Sequence, residues 1–212
     1  HIIKAAFITT GLGLFIMFAY SLQTPNALFD QPARTIYFIL TLGTVFSALS
    51  MKRLLSFQTS STIKYTPKQE EAKNSGLSVL VILLFIVSPM FDESGKFIIC
   101  NCNWLRWIGC LFLIDAITFF GWGSWVLGKT FYSTDKKPVP LKIVSGGPYA
   151  IIRHPRYLGL MAFTLATTFV FNNYGALIIS AGIIYILILK ANDEETLLEL
   201  EFGEDWLAYK KH

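Results

Sequence analysis

Long apolar segments separated by short polar loops are the strongest constraint on how this chain folds. A helix that crosses the hydrocarbon core of a membrane needs about 20 mainly apolar residues, with a range of about 17–25. Of the 212 residues, 53% are hydrophobic and only 15% are charged, against about 25% charged in soluble domains. Six segments approach the required length, namely 3–22, 35–51, 77–91, 104–127, 157–171 and 174–190. The sequence therefore predicts an all-α fold, a polytopic transmembrane helical bundle of about six spans.

The first and the last candidate spans each leave an alternative open. Residues 3–22 lack a clean small-residue cleavage site after the apolar run, so we interpret them as a span rather than a secretory signal. If this helix lies flat on the membrane, five spans remain. Only Asn172 and Asn173 separate the last two segments, which predicts a tight helical hairpin. Both arms of this hairpin are slightly short for a complete crossing.

The distribution of lysine and arginine predicts which loops face the cytoplasm. Segments 52–76 and 128–156 carry five and six of these residues, whereas 23–34 and 92–103 carry one each. Cytoplasmic loops of membrane proteins carry the excess of positive charge. We therefore expect a multi-pass membrane protein with both termini and the polar site on the cytoplasmic side. The net charge of +4 reflects these loops, and nucleic acid is not expected as a partner.

The composition changes abruptly after residue 191, where acidic residues begin. Asn192 or Asp193 could cap a new helix there, with glutamates in its first turn where the helix dipole favours them. Its apolar stripe is predicted to contain Leu198, Phe202, Trp206 and Tyr209. We expect a cytoplasmic helix that packs on the membrane face or on the basic loop.

The stretch GGPYAIIRHPRYLG, residues 146–159, is unusually polar for the beginning of a span. In the simpler interpretation its arginines and tyrosines are interfacial anchors and Pro155 only begins a helix. In the functional interpretation, the N-terminus at Pro155 offers unpaired N–H groups to an anion. Gly146 and Gly147 would let the backbone approach a ligand closely.

A second polar cluster follows the hairpin. Lys190 and Glu194 are four residues apart, so they share a face and can form an ion pair if the last span continues without a break. The hairpin returns residue 190 to the interface from which residue 157 started. We therefore expect the two polar clusters to meet in a pocket at the cytoplasmic membrane surface.

Other polar residues are weaker candidates. Asp115 lies in the middle of a span and is either functional or hydrogen-bonded to a neighbouring helix. Cys100, Cys102 and Cys110 suggest no disulfide framework and no zinc-finger spacing, so no metal site is expected. The two close cysteines are interpreted as ordinary loop residues rather than a redox site.

The C-terminal motifs resemble the isoprenylcysteine carboxyl methyltransferases and the related phospholipid methyltransferases. The similarity covers about residues 124–210 and comprises WxLGKxF, LKIVSGGPYAIIRHPRYLG and KxxxEExLLxxEFGxxWxxY. It implies one integral membrane domain, 1–212, with four transmembrane helices in 1–127 and a catalytic region in 128–212. The implied cofactor is S-adenosylmethionine, with S-adenosylhomocysteine as its product.

The resemblance also implies roles for particular residues. Lys190, Glu194 and His154 would be catalytic, and Lys190 would contact the substrate at a position where isoprenylcysteine enzymes have arginine. Lysine is a point charge without the two-pronged donor of arginine, so an anionic acceptor other than a prenylcysteine is also compatible. The implied cofactor contacts are Leu141, Lys142, Ile143, Val144, Tyr149, His154, Pro155, Arg156, Tyr157 and Glu194.

The function expected from this resemblance is methyl transfer to a lipophilic acceptor, most like protein-S-isoprenylcysteine O-methyltransferase. The alternatives within the superfamily are phospholipid amines and small thiols. The partners would be a lipophilic or prenylated substrate and membrane lipid. Two further classes remain open. They are a sterol-type reductase that uses NADPH, and a non-enzymatic membrane protein whose basic cluster only determines topology.

Overall fold

A computed structural model describes residues 31–50, 67–95, 97–131 and 143–211. Predicted span 3–22 and predicted site residues Leu141 and Lys142 lie outside these ranges. The described residues form helices connected by short loops, without a β-strand among them, which confirms the all-α prediction. The elements are α1 Pro32–Ser50, α2 Pro67–Ser94, α3 Asn103–Phe131, a 3-10 helix Gly147–Ala150, α4 Pro155–Phe171, α5 Tyr174–Phe202 and α6 Glu204–Lys210.

Glycines allow α3 and α4 to pack against each other closely. A Cβ atom on Gly159 would lie 2.7 Å from the Phe120 nitrogen, and one on Gly109 would lie 2.7 Å from the Val170 nitrogen. Such distances leave no space for a side chain. The backbones can therefore approach directly, as small residues permit in membrane helices. The contact at Gly159 holds the beginning of α4, and with it the polar stretch, against the C-terminal half of α3.

The Asn-Asn turn forms the predicted helical hairpin. Asn172 ends α4 in the left-handed region, with φ of 51°, and Asn173 caps α5 by accepting a 2.7 Å hydrogen bond from the Ala176 N–H. Both conformations suit asparagine, which tolerates the left-handed region and is a favoured N-cap. The hydroxyls of Thr168 and Ser180 lie 2.7 Å apart and join the two arms. The hairpin prediction is confirmed.

Two clusters of buried apolar residues surround this hairpin. The first joins α1 to α3 and α4 around Tyr37 and Phe85, and the hydroxyl of Tyr37 lies 2.6 Å from that of Thr167. The second lies between α2 and α5 and includes Leu84 and Leu187. Helices α1, α2 and α3 therefore each pack against an arm of the hairpin. The hairpin is the central element of the described bundle.

The loop before α3 pairs with the hairpin turn at one end of the bundle. Ile98 and Asn173 form an isolated antiparallel β-bridge, and the Asn172 side chain binds both the N–H and the carbonyl of Cys100. A disulfide joins Cys100 to Cys102, whose Cα atoms are 5.2 Å apart. The expectation that the cysteines form no disulfide framework is therefore wrong for these two. The spacing alone did not show that the loop brings both thiols together, whereas Cys110 is free and buried.

A buried ion cluster lies at this same end, which we call the outer cluster. Its members are Arg34, Asp92 and Arg106. The Asp92 carboxylate binds Arg34 at 2.6 Å and Arg106 at 2.7 Å and 3.0 Å. Arg106 also donates to the carbonyl of Val170, close to the end of α4. The Asp92 carboxylate thus connects α1, α2 and α3, and Arg106 extends the connection to α4.

Three described helices are long and apolar enough to cross a membrane: Ala72–Asp92, Asn103–Lys129 and Tyr174–Phe202. They overlap the predicted third, fourth and sixth spans. Helix α4 contains 17 residues and so lies at the lower limit of a spanning helix. The described residues thus support an integral membrane protein, while the count of six spans stays a prediction.

The C-terminal region differs from its prediction. Helix α5 continues from Tyr174 to Phe202, so neither Asn192 nor Asp193 caps a new helix. Side-chain pairing across the bundle outweighs local capping preference here, because Asp193 instead pairs with Lys73 of α2. The helix ends at Gly203, whose φ of 52° favours glycine, and the predicted apolar stripe is divided between α5 and α6.

Candidate functional site

The polar stretch before α4 packs directly on the C-terminal half of α3. Gly147 has a φ of 65°, and a Cβ atom there would lie 2.9 Å from Val126 and 3.4 Å from the indole nitrogen of Trp122. Glycine is thus required both by the backbone conformation and by the contact. The following 3-10 helix turns the chain so that Tyr149 faces the Gly123 carbonyl, at 3.5 Å.

Pro155 begins α4 and leaves His154 immediately before the first helical residue. The His154 side chain does not cap the helix; its imidazole faces α5 instead. Proline is well suited to the first helical position, since its missing N–H would have no helical partner there. Tyr157 lies one turn further along, with its ring centre 5.8 Å from that of His154.

The glutamates of α5 meet this histidine, in what we call the inner cluster. Its members are Arg153, His154, Glu194, Glu195 and Lys210. His154 Nδ1 lies 3.8 Å from Glu194 Oε2, and Nε2 lies 3.3 Å from Glu195 Oε1. Glu195 also pairs with Arg153 at 3.1 Å and with Lys210 at 3.0 Å. The RHPRY and KxxxEE motifs are therefore brought together, as the sequence predicts.

Two tyrosines close one side of the inner cluster. The Tyr209 hydroxyl on α6 donates a hydrogen bond to the Tyr149 carbonyl. Burial raises the pKa of Tyr149 to about 12, although the positive charge of Arg156 opposes this rise. Burial also raises the pKa of Tyr209. Both hydroxyls therefore stay protonated at neutral pH and can act as hydrogen-bond donors.

Three buried N–H-bearing atoms at this site have no hydrogen-bond partner among the described residues. They are His154 Nε2, Arg156 Nε and Trp206 Nε1. Although Glu195 is 3.3 Å from His154 Nε2, their arrangement does not make a hydrogen bond. Leaving a buried polar group unsatisfied costs about 1–3 kcal/mol. An acceptor atom of a polar ligand would satisfy such a group.

Arg156 is held at this site by helix α3. A Cβ atom on Gly123 would lie 3.1 Å from the Arg156 Cγ and 3.2 Å from the Pro155 Cγ. The Arg156 guanidinium lies 5.8 Å from the centre of the Phe120 ring. The stem of Arg156 therefore packs against α3, and its charged end lies by Phe120 and acts on Tyr149.

Lys190 is buried, with 5% of its surface exposed, and contacts a different helix. Its ammonium donates a hydrogen bond to Oδ1 of Asn74 on α2. The adjacent Lys73 pairs with Asp193, so two consecutive residues of α2 contact the C-terminal half of α5. The continuous helix places Lys190 and Glu194 on one face, but their direct ion pair stays a prediction.

The remaining predicted residues have varied positions. Ile143 and Val144 are partly buried just before the turn, and Pro155 is buried. Asp115 is exposed on α3, and no hydrogen bond joins it to another residue in the described part of the chain. The expected contact of Asp115 with a neighbouring helix is therefore not found there. The described residues also contain no metal-binding cluster of histidine, cysteine or carboxylate side chains.

Sequence reasoning missed Glu195, Asn74 and Lys210 as site residues. Glu195 has more charged partners than Glu194 and is less exposed, with side-chain exposures of 17% and 46%. The EE pair in the motif was a signal, but the motif could not show which carboxylate faces inward. Asn74 had no signal at all, because its contact depends on the packing of α2 on α5.

Residues 102–205 match the model of the phospholipid methyltransferase family. The expected resemblance to membrane methyltransferases is confirmed over this segment. No curated protein and no solved structure matches the chain. The methyltransferase segment begins at α3, earlier than the motifs suggested, and includes Arg153, His154 and both glutamates. Lys210, the remaining member of the inner cluster, lies five residues beyond this segment.

Proposed function

We propose that the protein is an S-adenosylmethionine-dependent methyltransferase that acts on a lipophilic acceptor at the cytoplasmic face of a membrane. One observation carries this proposal. Within the methyltransferase segment, His154 and the two glutamates converge beside buried N–H groups that have no partner in the described structure. A ligand that carries a negative and a positive group would pair with the N–H groups through the first and with the glutamates through the second.

The residues present fit the cofactor. Arg156 and the N–H groups at the start of α4 suit its carboxylate, since helix N-termini favour anions. Glu194, nearly half exposed beside His154, suits its positive groups. We assign Leu141, Lys142, Ile143, Val144, Tyr149, Pro155 and Tyr157 to the surrounding contacts, as the resemblance implies. When bound, the cofactor supplies a methyl group on a sulfonium that is already electrophilic.

The task left to the protein is to align an acceptor and exclude water. A carboxylate acceptor needs no base. An amine acceptor must first lose a proton, and His154 is the imidazole available for that step. Lys190 is assigned to the acceptor side, where its ammonium would hold an anionic group.

Tryptophans on α3 support a position at the membrane surface. Trp104 and Trp107 are exposed near one end of the helix, and Trp122 and Trp125 near the other. The distance from Trp104 to Trp125 is about 31 Å along the axis, close to the thickness of the hydrocarbon core. Trp122 contacts Gly147, so the inner cluster lies at the depth where interfacial tryptophans and lipid headgroups meet.

Two acceptor classes fit this position. The family match favours a phospholipid amine. A prenylcysteine carboxylate, as in protein-S-isoprenylcysteine O-methyltransferase, is favoured by the motifs and by a cation at position 190. Purified protein incubated with labelled S-adenosylmethionine and either a phosphatidylethanolamine or a farnesylated N-acetylcysteine would separate the two, since only the true acceptor gains label.

Isothermal titration with S-adenosylmethionine and S-adenosylhomocysteine tests the cofactor assignment. We expect both to bind wild-type protein and to bind His154→Ala and Glu194→Gln at least about ten-fold more weakly, because each change removes a charged or polar contact. Glu201→Gln, an exposed glutamate on the same helix, is the matched control and should bind normally. Folded protein that binds NADPH instead would favour the reductase class, and protein that binds neither would refute the proposal.

A further inference from the structure

One face of helix α3 is exposed through the middle of the membrane span. We call it the α3 face, and its members are Trp107, Leu111, Ile114, Asp115, Thr118 and Trp122. These residues recur at spacings of three or four, so they lie along one strip of the helix surface. Helices α1 and α4 contact α3 elsewhere, at Cys110 and at Gly109. No described helix covers the α3 face.

Asp115 makes the α3 face unsuitable for contact with lipid alone. It lies 12 residues after Asn103, the first residue of α3. This is about 18 Å along the helix axis, near the middle of the hydrocarbon core. No hydrogen bond or ion pair joins its carboxyl group to another residue in the described part of the chain. Acidic residues inside a membrane normally face protein or a water-filled cavity, because lipid tails offer no polar partner.

The exposed face of α2 has no such requirement. Between residues 76 and 90 every exposed side chain of α2 is apolar, namely Val79, Leu83, Ile86 and Met90. Lipid tails suit this face directly. Thr118 on the α3 face needs no outside partner either, since its hydroxyl donates to the Ile114 carbonyl at 2.8 Å. Asp115 is thus the residue that distinguishes the α3 face.

Segment 3–22, the predicted first span, is tethered beside α3. It lies outside the described residues and leads through residues 23–31 to Pro32, the first residue of α1. The carbonyl of the next residue, Ala33, accepts a hydrogen bond from the Cys110 thiol of α3. A connection of this length reaches up to about 30 Å, whereas packed helices lie about 8–10 Å apart. The α3 face is therefore within reach of the segment.

The segment also carries a hydroxyl group at the depth of Asp115. Loops 23–34 and 92–103 are both predicted to lie outside, so segment 3–22 is expected to run antiparallel to α3. Thr10 lies 12 residues before Leu22, as Asp115 lies 12 residues after Asn103. Each is thus about 18 Å from the outer end of its helix. A threonine hydroxyl can donate to a carboxyl oxygen, and such groups join helices within membranes.

We propose that segment 3–22 docks antiparallel on the α3 face and that Thr10 donates a hydrogen bond to Asp115. The inference goes beyond the proposed function and is independent of it, because it uses no contact of the inner cluster. It adds that a part of the chain outside the methyltransferase segment 102–205 encloses α3 in the membrane.

Cysteine crosslinking in isolated membranes tests this docking with Thr10 and Asp115 unchanged. Leu14→Cys and Leu111→Cys place thiols one turn outward from those two residues, again at matched depth. Mild oxidation should join the two positions within one chain. Three methionines lie between them, so cleavage with cyanogen bromide separates the corresponding fragments. We expect the fragments to remain joined until a reducing agent is added.

Three controls identify other occupants of the α3 face. Leu14→Cys with Leu83→Cys, at a similar depth on the apolar face of α2, should give little joined product. Leu14→Cys alone should give none, since the native thiol of Cys110 is buried. Leu111→Cys alone should not form dimers on a non-reducing gel.

Substitutions of Asp115 in the crosslinking variant test the hydrogen bond. Asp115→Leu should slow crosslinking about three-fold, the effect of losing an average hydrogen bond between membrane helices. Asp115→Asn keeps an acceptor oxygen and should crosslink at the original rate. Thr118→Val removes an exposed hydroxyl that bonds only within α3 and should also leave the rate unchanged. Thermal unfolding of each variant confirms that it is folded.

Several results would overturn the inference. Joined fragments from the Leu83 pair but not from the Leu111 pair would place the segment on α2. Dimers through Leu111→Cys would assign the α3 face to a second copy of the chain, and no product from any pair would leave the face to lipid. An unchanged rate in folded Asp115→Leu would refute the hydrogen bond to Thr10. No arm measures cofactor binding, so a failure of the proposed function is recognised separately.

Discussion

The two ends of the bundle use charged residues in opposite ways. In the outer cluster, Asp92 has a side-chain exposure of 3% and both arginines are nearly buried around it. In the inner cluster, Glu195 is 17% exposed and its partners Arg153 and Lys210 are about 40% exposed. The outer cluster is closed around its own carboxylate, whereas the charged groups of the inner cluster keep access to solvent.

This difference in exposure suits a structural role for the outer cluster and, under the proposed function, a ligand-binding role for the inner cluster. A buried carboxylate shared by two arginines connects three helices, and the Arg106 hydrogen bond to Val170 adds a fourth, which leaves little freedom to rearrange. Partly exposed charges can exchange partners at low cost, because ion pairs near water contribute little net free energy. A site that must bind and release a charged cofactor needs the second arrangement.

Replacing Asp92 should have the largest effect on stability. Asp92→Asn leaves two arginines without their shared counter-charge, and removing one partner of a buried ion pair costs about 3–5 kcal/mol. The free energy of unfolding can be measured by titration with SDS in mixed micelles. The matched control is Asp193→Asn, which breaks an exposed pair and should cost less than about 1 kcal/mol. Equal losses in both variants would remove the contrast between the two ends.

The prediction of the outer cluster from sequence was not possible. Arg34 and Asp92 fall in the predicted loops 23–34 and 92–103, whereas Arg106 lies just inside the fourth predicted span, 104–127. Their distance in sequence is large, and only the packing of α1, α2 and α3 brings them together. By contrast, the hairpin was predictable, since two adjacent asparagines between apolar runs satisfy a C-terminal and an N-terminal helix cap locally.

The inner cluster was partly predictable for a related reason. Its motifs lie on the two arms of one hairpin, so a local turn was sufficient to bring His154 near Glu194. The continuation of α5 and the role of Glu195 were not predictable. They depend on contacts with α2 and α6, in which Asp193 pairs with Lys73 and Glu195 with Lys210.

Replacing Glu195 should affect ligand binding more than stability. Glu195→Gln removes the common partner of Arg153, His154 and Lys210, which are partly exposed and can be hydrated. We expect a destabilisation of about 1 kcal/mol or less after solvent screening. The affinity for S-adenosylmethionine should fall about ten-fold, because the carboxylate that holds Arg153 and Lys210 beside His154 is lost. A loss of stability as large as that of Asp92→Asn, with unchanged cofactor affinity, would show that the inner cluster is structural.

The smallest effect is expected at the link between Lys73 and Asp193. Their side chains are 32% and 37% exposed, so water competes for both charges and salt screens the attraction between them. A double-mutant cycle with Lys73→Ala and Asp193→Ala should give a coupling free energy of about 0.2–1 kcal/mol, decreasing as salt is added. A coupling as large as that of the outer cluster, and insensitive to salt, would mean that the inner end is also held by a desolvated ion pair. The beginning of α2 would then be fixed to α5 as firmly as the outer cluster fixes its own helices.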